Sequence, residues 1–257
     1  MFPLKDNIPT ERTAIITIAI IAINVLVYFL LQRGGILHGP GDAGVVKYGA
    51  IPYELAHPGK ECAIAAGQIA CEGQPGVTGT APDQPPTYLT ILTSMFMHGS
   101  ILHLAGNMLF LWIFGNNVED AMGRVKFVAF YLLGGAAALL LQTAIDTGST
   151  GPTIGASGAI AAVLGGYILL YPRARVVTVI FIIFFFTIVE LPAMIVLGLW
   201  FLLQVFYGYS DIAGPTGSGG GVAYFAHIGG FAFGLLAIKL FASRTKDYTV
   251  PPKYPVY

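Results

Sequence analysis

The sequence predicts an all-α membrane protein in which six transmembrane helices form a bundle, with a large outer loop between helices 1 and 2. Hydrophobic residues make up 55% of the 257 positions and charged residues only 10%, whereas soluble domains carry about 25% charged residues. So few charges cannot cover the surface of a soluble protein of this size. Disorder is excluded because it requires low hydrophobicity. Nucleic-acid binding is not expected because 13 basic and 13 acidic residues cancel.

The predicted spans are stretches of about 20 apolar residues, enough for a helix to cross the roughly 30 Å hydrocarbon core. The first runs from about Ala14 to Leu31. A signal peptide is the alternative, but no small-x-small cleavage site follows, so we expect a retained helix. An interfacial segment begins near Tyr88 and leads into the second span. The second to sixth spans are expected at about 101–115, 127–145, 157–171, 191–208 and 225–241.

Residues 32–87 form the predicted outer loop, because they are rich in Gly, Pro and isolated charges. Turns and short helices are expected there. Both cysteines of the chain, Cys62 and Cys71, lie in this loop. In an oxidising compartment they would pair as a disulfide, and two free thiols are the alternative.

An apolar run from Val176 to Gly208 is too long for one ordinary span. Leu191-Pro192 divides it, since proline suits the first turn of a helix better than its interior. We therefore expect a membrane-associated or re-entrant piece at 176–189 before the span at 191–208. Glu190 would lie at the start of that helix, where a carboxylate favours the positive end of the dipole. A proton relay is the alternative role for Glu190.

The distribution of Lys and Arg predicts the orientation, because cytoplasmic flanks carry an excess of them. With the N-terminus inside, nine basic residues lie on the inner side and three on the outer side. We therefore expect both termini to be cytoplasmic in one polytopic domain, 1–257, with core 88–243 and tail 244–257. A bacterial plasma membrane is expected because no organelle transit signal appears. The inner residues are Lys5, Arg12, Arg124, Lys126, Arg173, Arg175, Arg244, Lys246 and Lys253, and the outer ones Arg33, Lys47 and Lys60.

Four polar side chains inside the predicted spans are singled out as candidates: His103, Asn107, Ser157 and His227. Unpaired polar groups in hydrocarbon cost several kcal/mol, so they are functional candidates. A helix rises 1.5 Å per residue, which places all four about 15–24 Å above the inner boundary. Residues from three different helices are therefore expected in one layer of the outer leaflet.

The chemistry of these four residues is complementary. A serine hydroxyl is a weak nucleophile until a base takes its proton, and His227 is a suitable base because imidazole titrates near neutrality. His103 and Asn107 are four residues apart on one helix face and both can donate hydrogen bonds to an oxyanion. The alternative is packing alone, with Ser157 bonded to its own helix.

Small residues at four-residue spacing predict how Ser157 and His227 meet. Ser157, Ala161 and Gly165 form one stripe, and Gly230 and Gly234 form another. Such stripes let membrane helices pack backbone to backbone. We therefore expect the fourth and sixth spans to be in close contact.

Four motifs together resemble the rhomboid family of intramembrane serine proteases, over roughly residues 88–243. Residues 98–107 resemble its H-x-x-x-x-H-x-x-x-N pattern, and residues 155–158, Gly-Ala-Ser-Gly, match G-x-S-G. Residues 226–234 match A-H-x-x-G-x-x-x-G, and residues 115–123 resemble its G-x-x-x-E-x-x-x-G turn. Each motif is weak alone, but four in the right order are specific.

The resemblance implies Ser157 as nucleophile and His227 as general base, with Asn107 and His103 lining the oxyanion hole. It implies transmembrane segments of single-span membrane proteins as substrates, cut near their outer ends, and no metal or cofactor. Some members stack an aromatic ring on the histidine from the position of Ala161, so His227 must be oriented otherwise. We expect a Ser–His dyad without a third carboxylate. An inert relative that binds membrane clients and a small transporter are the alternatives.

Overall fold

Apolar helices dominate the computed structural model, which describes residues 1–81, 84–182, 185–213 and 221–243. The basic residues Arg244, Lys246 and Lys253, and the predicted tail, lie outside the described residues. Most helices follow the expected order, with two small sheets added to them. The helices are α1 Ile15–Leu26, α2 Asp42–Tyr48, α3 Pro52–Ala56, α4 Thr87–Thr93, α5 Ile101–Phe110, α6 Asn116–Met122, α7 Arg124–Ile145, α8 Ser157–Leu170, α9 Ala193–Ala213 and α10 Tyr224–Phe241, and the strands are β1 Phe2–Asp6, β2 Cys62–Ala65, β3 Gln68–Cys71, β4 Arg175–Ile182 and β5 Phe185–Pro192.

Four helical segments in the described part of the chain are long and apolar enough to cross a membrane: Ile101–Met122, Arg124–Ile145, Ala193–Ala213 and Tyr224–Phe241. The first joins α5 and α6 through a π-helical turn at Leu111–Gly115. Two further predicted spans are shorter apolar helices, Ile15–Leu31 and Ser157–Leu170. The 14 residues of α8 span only about 21 Å. The predicted membrane helical bundle is confirmed, with two helices shorter than a full span.

The packing of α8 against α10 follows the predicted glycine stripes. A Cβ added at Gly230 would collide with the backbone carbonyl of Gly158, and one at Gly234 with that of Ala162. A Cβ at Gly165 would likewise collide with the carbonyl of Phe231. The two backbones therefore touch, which only residues without a side chain permit. The expected close contact of these helices is confirmed.

Within the apolar run, residues 176–182 and 185–189 lie in the strands of an antiparallel β-hairpin, β4–β5, a structure that the expectation of a membrane-associated or re-entrant piece did not specify. The N-terminal strand β1 pairs with β4 and completes a three-stranded sheet in the order β1-β4-β5. Glu190 lies in β5 and forms a salt bridge of 3.5 Å with Arg175, so the expected place at the start of a helix is wrong. β-branched residues in the run, such as Val176, Val177 and Thr178, favour strands.

The outer loop contains a small folded unit around α2, α3 and the β2–β3 hairpin. Cys62 and Cys71 are joined by a disulfide and pair directly across that hairpin. The unit contacts the loop that precedes α8, since Ala50 and Thr153 exchange backbone hydrogen bonds of 3.1 and 2.7 Å. The disulfide-bearing unit and the N-terminus of α8 therefore lie at the same end of the bundle.

Candidate active site

Ser157 and His227 meet at the N-terminal ends of α8 and α10. The distance from Ser157 Oγ to His227 Nε2 is 2.8 Å, a normal hydrogen bond. Both side chains are half-buried. The contact depends on the α8–α10 packing, because the glycine at 230 follows His227 by less than one turn and lies against Gly158. The structure therefore brings together the two residues that the sequence selected as nucleophile and base.

Gly155 shapes the turn that leads into α8. Its φ of +126° lies in a region that side chains rarely adopt, which glycine tolerates. Its N–H donates to the carbonyl of Ser94 at 2.9 Å. A Cβ here would lie 2.8 Å from the His103 ring. The glycine of the G-x-S-G motif thus allows His103 to approach the residue two positions before Ser157.

His103 and Asn107 face the same cavity as Ser157 from α5. Ser100 caps α5 by accepting a hydrogen bond of 3.1 Å from the His103 backbone N–H. Asn107 is buried, and its side-chain nitrogen has no hydrogen-bond partner among the described residues. A buried amide without a partner is costly. Asn107 therefore combines an unpaired, buried donor with a place among the residues that line the cavity.

The cavity has a volume of about 840 Å³, and all four predicted site residues line it. Its walls come from α5, α7, α8, α9 and α10, and from the loops before α8 and α10. Apolar side chains such as Leu102, Phe110 and Leu139 line it together with the polar residues. Its volume and mixed lining are typical of a ligand pocket. Because the loops before α8 and α10 form part of its wall, the cavity lies at the end of the bundle that carries the disulfide.

Two contacts of His227 were not predicted, and both come from α9. Gln204 Oε1 lies 2.8 Å from His227 Nδ1, and the Trp200 ring centroid lies 5.8 Å from that of His227. Trp200 was not among the predicted site residues. A signal for Gln204 existed, because it is a polar residue inside the apolar run 191–208. These two residues orient the ring where Ala161 cannot.

A second glutamine, Gln142, also escaped the sequence analysis. It lies on α7, lines the cavity and accepts a hydrogen bond of 3.1 Å from the backbone N–H of Ala226. That N–H belongs to the first turn of α10, where backbone donors lack helical partners. Gln142 therefore fixes the start of the helix that carries His227.

No group of three or more His, Cys, Asp or Glu side chains in the described ranges could hold a metal ion.

Comparison with known proteins identifies the family of this chain. The Rhomboid domain model matches residues 85–244. The Presenilin-associated rhomboid-like protein, mitochondrial, of Mus musculus is 36% identical over 99 residues, 38% of this chain and 26% of that protein. Rhomboid protein 1, mitochondrial, of Saccharomyces cerevisiae is 31% identical over 160 residues, 60% of this chain and 42% of that protein. RHOMBOID-like protein 12, mitochondrial, of Arabidopsis thaliana is 30% identical over 164 residues, 58% and 45% of the two chains.

The fold and the site define a multi-pass integral membrane protein with a polar cavity inside its helix bundle. Because the domain match covers more than half of the chain, the protein belongs to the rhomboid family, whose members are generally intramembrane serine proteases. The matched regions span less than half the length of each of these relatives.

Proposed function

We propose that this chain is an intramembrane serine endopeptidase, with Ser157 as nucleophile and His227 as general base. The observation that carries the proposal is the 2.8 Å hydrogen bond between Ser157 Oγ and His227 Nε2 inside a cavity large enough for a peptide segment. A serine that bonded only to its own helix would favour the packing alternative. Retention of both residues also argues against an inert relative.

The reaction follows from this geometry. His227 Nε2 takes the Ser157 proton as Oγ attacks the scissile carbonyl carbon. The carbonyl oxygen becomes an oxyanion, which Asn107 Nδ2, His103 and the Ser157 backbone N–H would stabilise. The imidazolium then protonates the leaving amine as the C–N bond breaks and the acyl-enzyme forms. Water, deprotonated by His227, hydrolyses the ester and restores the serine.

Asn107 is the best-supported donor of the proposed oxyanion hole. Its free side-chain nitrogen is a preorganised donor, so no existing hydrogen bond must break when charge develops on the substrate oxygen. His103 reaches the same region, where its ring contacts Gly155. His103 Nδ1 accepts a long hydrogen bond of 3.4 Å from the Gly99 N–H, which leaves Nε2 to carry the donating proton.

The proposed substrates are transmembrane segments of single-span membrane proteins, cut in the outer leaflet. The 14-residue α8 is about 21 Å long. If Tyr171 marks the inner boundary of a roughly 30 Å core, Ser157 lies about 21 Å above that boundary and about 9 Å below the outer surface. A peptide bond of an embedded substrate helix at that depth could be attacked by Ser157 only after the helix unwinds locally, because helical carbonyls are already hydrogen-bonded.

The proposed orientation places both termini in the cytoplasm and the Cys62–Cys71 unit outside. Arg12 and Arg124 line a second cavity of about 350 Å³ at the other end of the bundle, in agreement with the excess of positive charge inside. The expectation of a bacterial plasma membrane is not supported, because the relatives are named as mitochondrial proteins. The proposed orientation therefore states which parts of the chain lie on each side of the membrane, and it names no particular membrane.

Labelling with a fluorophosphonate probe tests the nucleophile directly. Wild-type protein in detergent should be labelled at Ser157, whereas Ser157→Ala and His227→Ala should not. Ser210→Ala and His38→Ala are matched controls, because both residues are exposed and lie outside the cavity. Labelling of the Ser157→Ala variant at the wild-type level would contradict the proposal, and an unlabelled wild type would favour a client-binding relative without activity.

A further inference from the structure

Gln204 contacts the His227 ring on the side opposite Ser157. Its Oε1 lies 2.8 Å from Nδ1, while Nε2 of the same ring lies 2.8 Å from Ser157 Oγ. These two are the side-chain hydrogen-bond partners of His227 within the described residues. The imidazole is therefore held between the nucleophile and a glutamine, in the place where a carboxylate completes a catalytic triad.

The orientation of the Gln204 amide is fixed by its own helix. Its Nε2 donates a hydrogen bond of 3.3 Å to the carbonyl of Trp200, one turn earlier on α9. A carbonyl can only accept, so the nitrogen of the amide faces the helix and the oxygen faces the ring. The glutamine is buried, with 9% of its surface exposed. Water therefore competes little for either hydrogen bond.

This orientation decides which nitrogen of His227 carries the proton. Because Gln204 Oε1 can only accept, Nδ1 must donate and holds the proton of the neutral ring. Nε2 then presents a lone pair to the Ser157 hydroxyl, which is the state that a general base requires. The opposite tautomer would donate from Nε2 to Ser157 and could not take its proton.

An uncharged hydrogen-bond acceptor, the Gln204 amide oxygen, suits the apolar surroundings of His227. A carboxylate at this depth would need a costly removal of charge from water, whereas an amide oxygen has no charge to lose. The Trp200 ring packs against the same imidazole and limits its rotation. Trp200 and Gln204 are four residues apart, so one face of α9 both packs against the ring and accepts its proton.

We propose that Gln204 is a positioning residue that fixes the tautomer and orientation of His227, so that the site works as a Ser157–His227–Gln204 triad. The inference rests on the proposed protease function. It adds a requirement that the dyad alone does not contain, namely a hydrogen-bond acceptor at position 204 in the fifth span.

Activity measurements on three α9 variants test the requirement for an acceptor. Gln204→Met keeps the length of the side chain and removes the acceptor, and Gln204→Glu keeps an acceptor. Leu203→Met introduces the same residue one position away, where the side chain is exposed and outside the cavity. We expect kcat to fall about 10–100-fold in Gln204→Met with KM nearly unchanged, since general-base catalysis contributes roughly 10²–10⁴-fold and only part of it is lost.

Gln204→Glu should recover most of that loss, and Leu203→Met should match wild type. Wild-type kcat in Gln204→Met, or an equal loss in Gln204→Glu and Gln204→Met, would overturn the inference. All variants are compared at equal folded fraction, measured by thermal denaturation in the same detergent.

The protonation state of the ring provides a readout that does not depend on activity. The chain has five histidines, so ¹⁵N-histidine NMR of the full chain is tractable, and His227→Ala assigns the resonances. Wild type should have Nδ1 protonated and Nε2 unprotonated, and Gln204→Met should gain the other tautomer. Identical His227 spectra in the two proteins would overturn the inference. A wild type that neither cleaves nor labels would defeat only the protease proposal, because the tautomer measurement stands without it.

Discussion

The two ends of the helix bundle both bury polar side chains, and they differ in how the hydrogen bonds of those side chains are used. At the inner end, the Glu119 carboxylate accepts from the backbone N–H groups of Ile16 and Thr17 and from the Thr17 hydroxyl at 2.7–3.0 Å. At the proposed outer end, the Asn107 amide nitrogen has no partner within the described part of the chain, and Asn107 is one of the residues that line the large cavity.

The difference separates a structural cluster from a functional one. The Glu119 carboxylate satisfies the first turn of α1, where helical donors lack partners and negative charge is favoured. It therefore ties the first helix to α6, which carries Glu119. The outer cluster keeps a donor free, which costs stability unless a ligand or a reacting group uses it. Buried polarity alone therefore does not identify a site, and the outer cluster is distinguished because the unpaired Asn107 lines the same cavity as the hydrogen-bonded Ser157 and His227.

The largest expected effect is the loss of cleavage rate in Asn107→Ala, at the outer end. We expect the rate of substrate cleavage to fall about 10²–10³-fold, as for the loss of one oxyanion donor. Its thermal stability should stay near that of wild type, because no intramolecular hydrogen bond is removed. Asn116→Ala, at the inner end of the same continuous helix, is the matched control for rate. An Asn107→Ala protein with the wild-type rate would remove Asn107 from the site.

Glu119→Ala should have the opposite profile. Hydrogen bonds to a charged group contribute about 1.5–3 kcal/mol each and do not add fully, so we expect the free energy of unfolding to fall by about 3 kcal/mol. The cleavage rate per folded molecule should stay within about twofold of wild type, because no reacting group is touched. Denaturation in detergent and rate measurements below the melting temperature check both. Glu61→Ala, which removes a carboxylate from the loop at 32–87, is the control for both measurements. A selective loss of rate would place Glu119 in the functional cluster.

The disulfide should have an intermediate effect, although it lies at the same end as the site. Joining Cys62 and Cys71 closes a short loop, and its removal in Cys62→Ser/Cys71→Ser should cost about 2–3 kcal/mol of outer-loop stability. Cleavage at low temperature should persist, since the contact between Ser157 and His227 joins α8 and α10 and contains neither cysteine. Limited proteolysis of the outer loop with and without reductant, beside the same assay, measures the two effects. Complete loss of cleavage would mean that the outer loop holds the cavity in shape.

The last effect depends on pH and concerns Asp6, which belongs to the inner cluster. Burial raises its pKa from 3.8 to about 6, against the lowering effect of hydrogen bonds from Tyr167 and Asn117. A raised carboxyl pKa stabilises the fold fully below the unfolded value, and this contribution is lost as pH rises through about 6. The unfolding free energy should therefore fall by roughly 2–3 kcal/mol between about pH 4 and pH 7.

The Asp6→Asn variant should lose most of this pH dependence. Melting temperatures at pH 4.5, 5.5, 6.5 and 7.5 test it, with Asp42→Asn as an exposed control. Parallel curves for wild type and Asp6→Asn would contradict the account of Asp6.

The sequence was most informative where a residue type was out of place. Ser157 and His227 stood out because hydroxyl and imidazole groups are rare in apolar helices, and the glycines at 230 and 234 indicated the close helix contact. Both signals depend on local chemistry and helical period alone. They predicted the meeting of α8 and α10 and the four residues around the cavity.

The β4–β5 hairpin and Gln204 were missed for physical reasons. A continuous apolar run has no period of 2 or 3.6, so residues 176–189 could not be assigned to strand or helix. The pairing of β1 with β4 is a contact between distant parts of the chain, which no local pattern encodes. Gln204 lies in no short motif, and its role depends on the distance between α9 and α10. Only the assembled structure gives that distance.

Cleavage of a single-span substrate in proteoliposomes tests the central claim most directly. Full-length wild type and Ser157→Ala, in equal amounts and with equal thermal stability, are reconstituted with a panel of tagged substrates, and mass spectrometry locates the cut. The account predicts that wild type cuts within the outer half of the transmembrane segment and that Ser157→Ala yields no product. Cleavage by Ser157→Ala at the wild-type rate and position would contradict it.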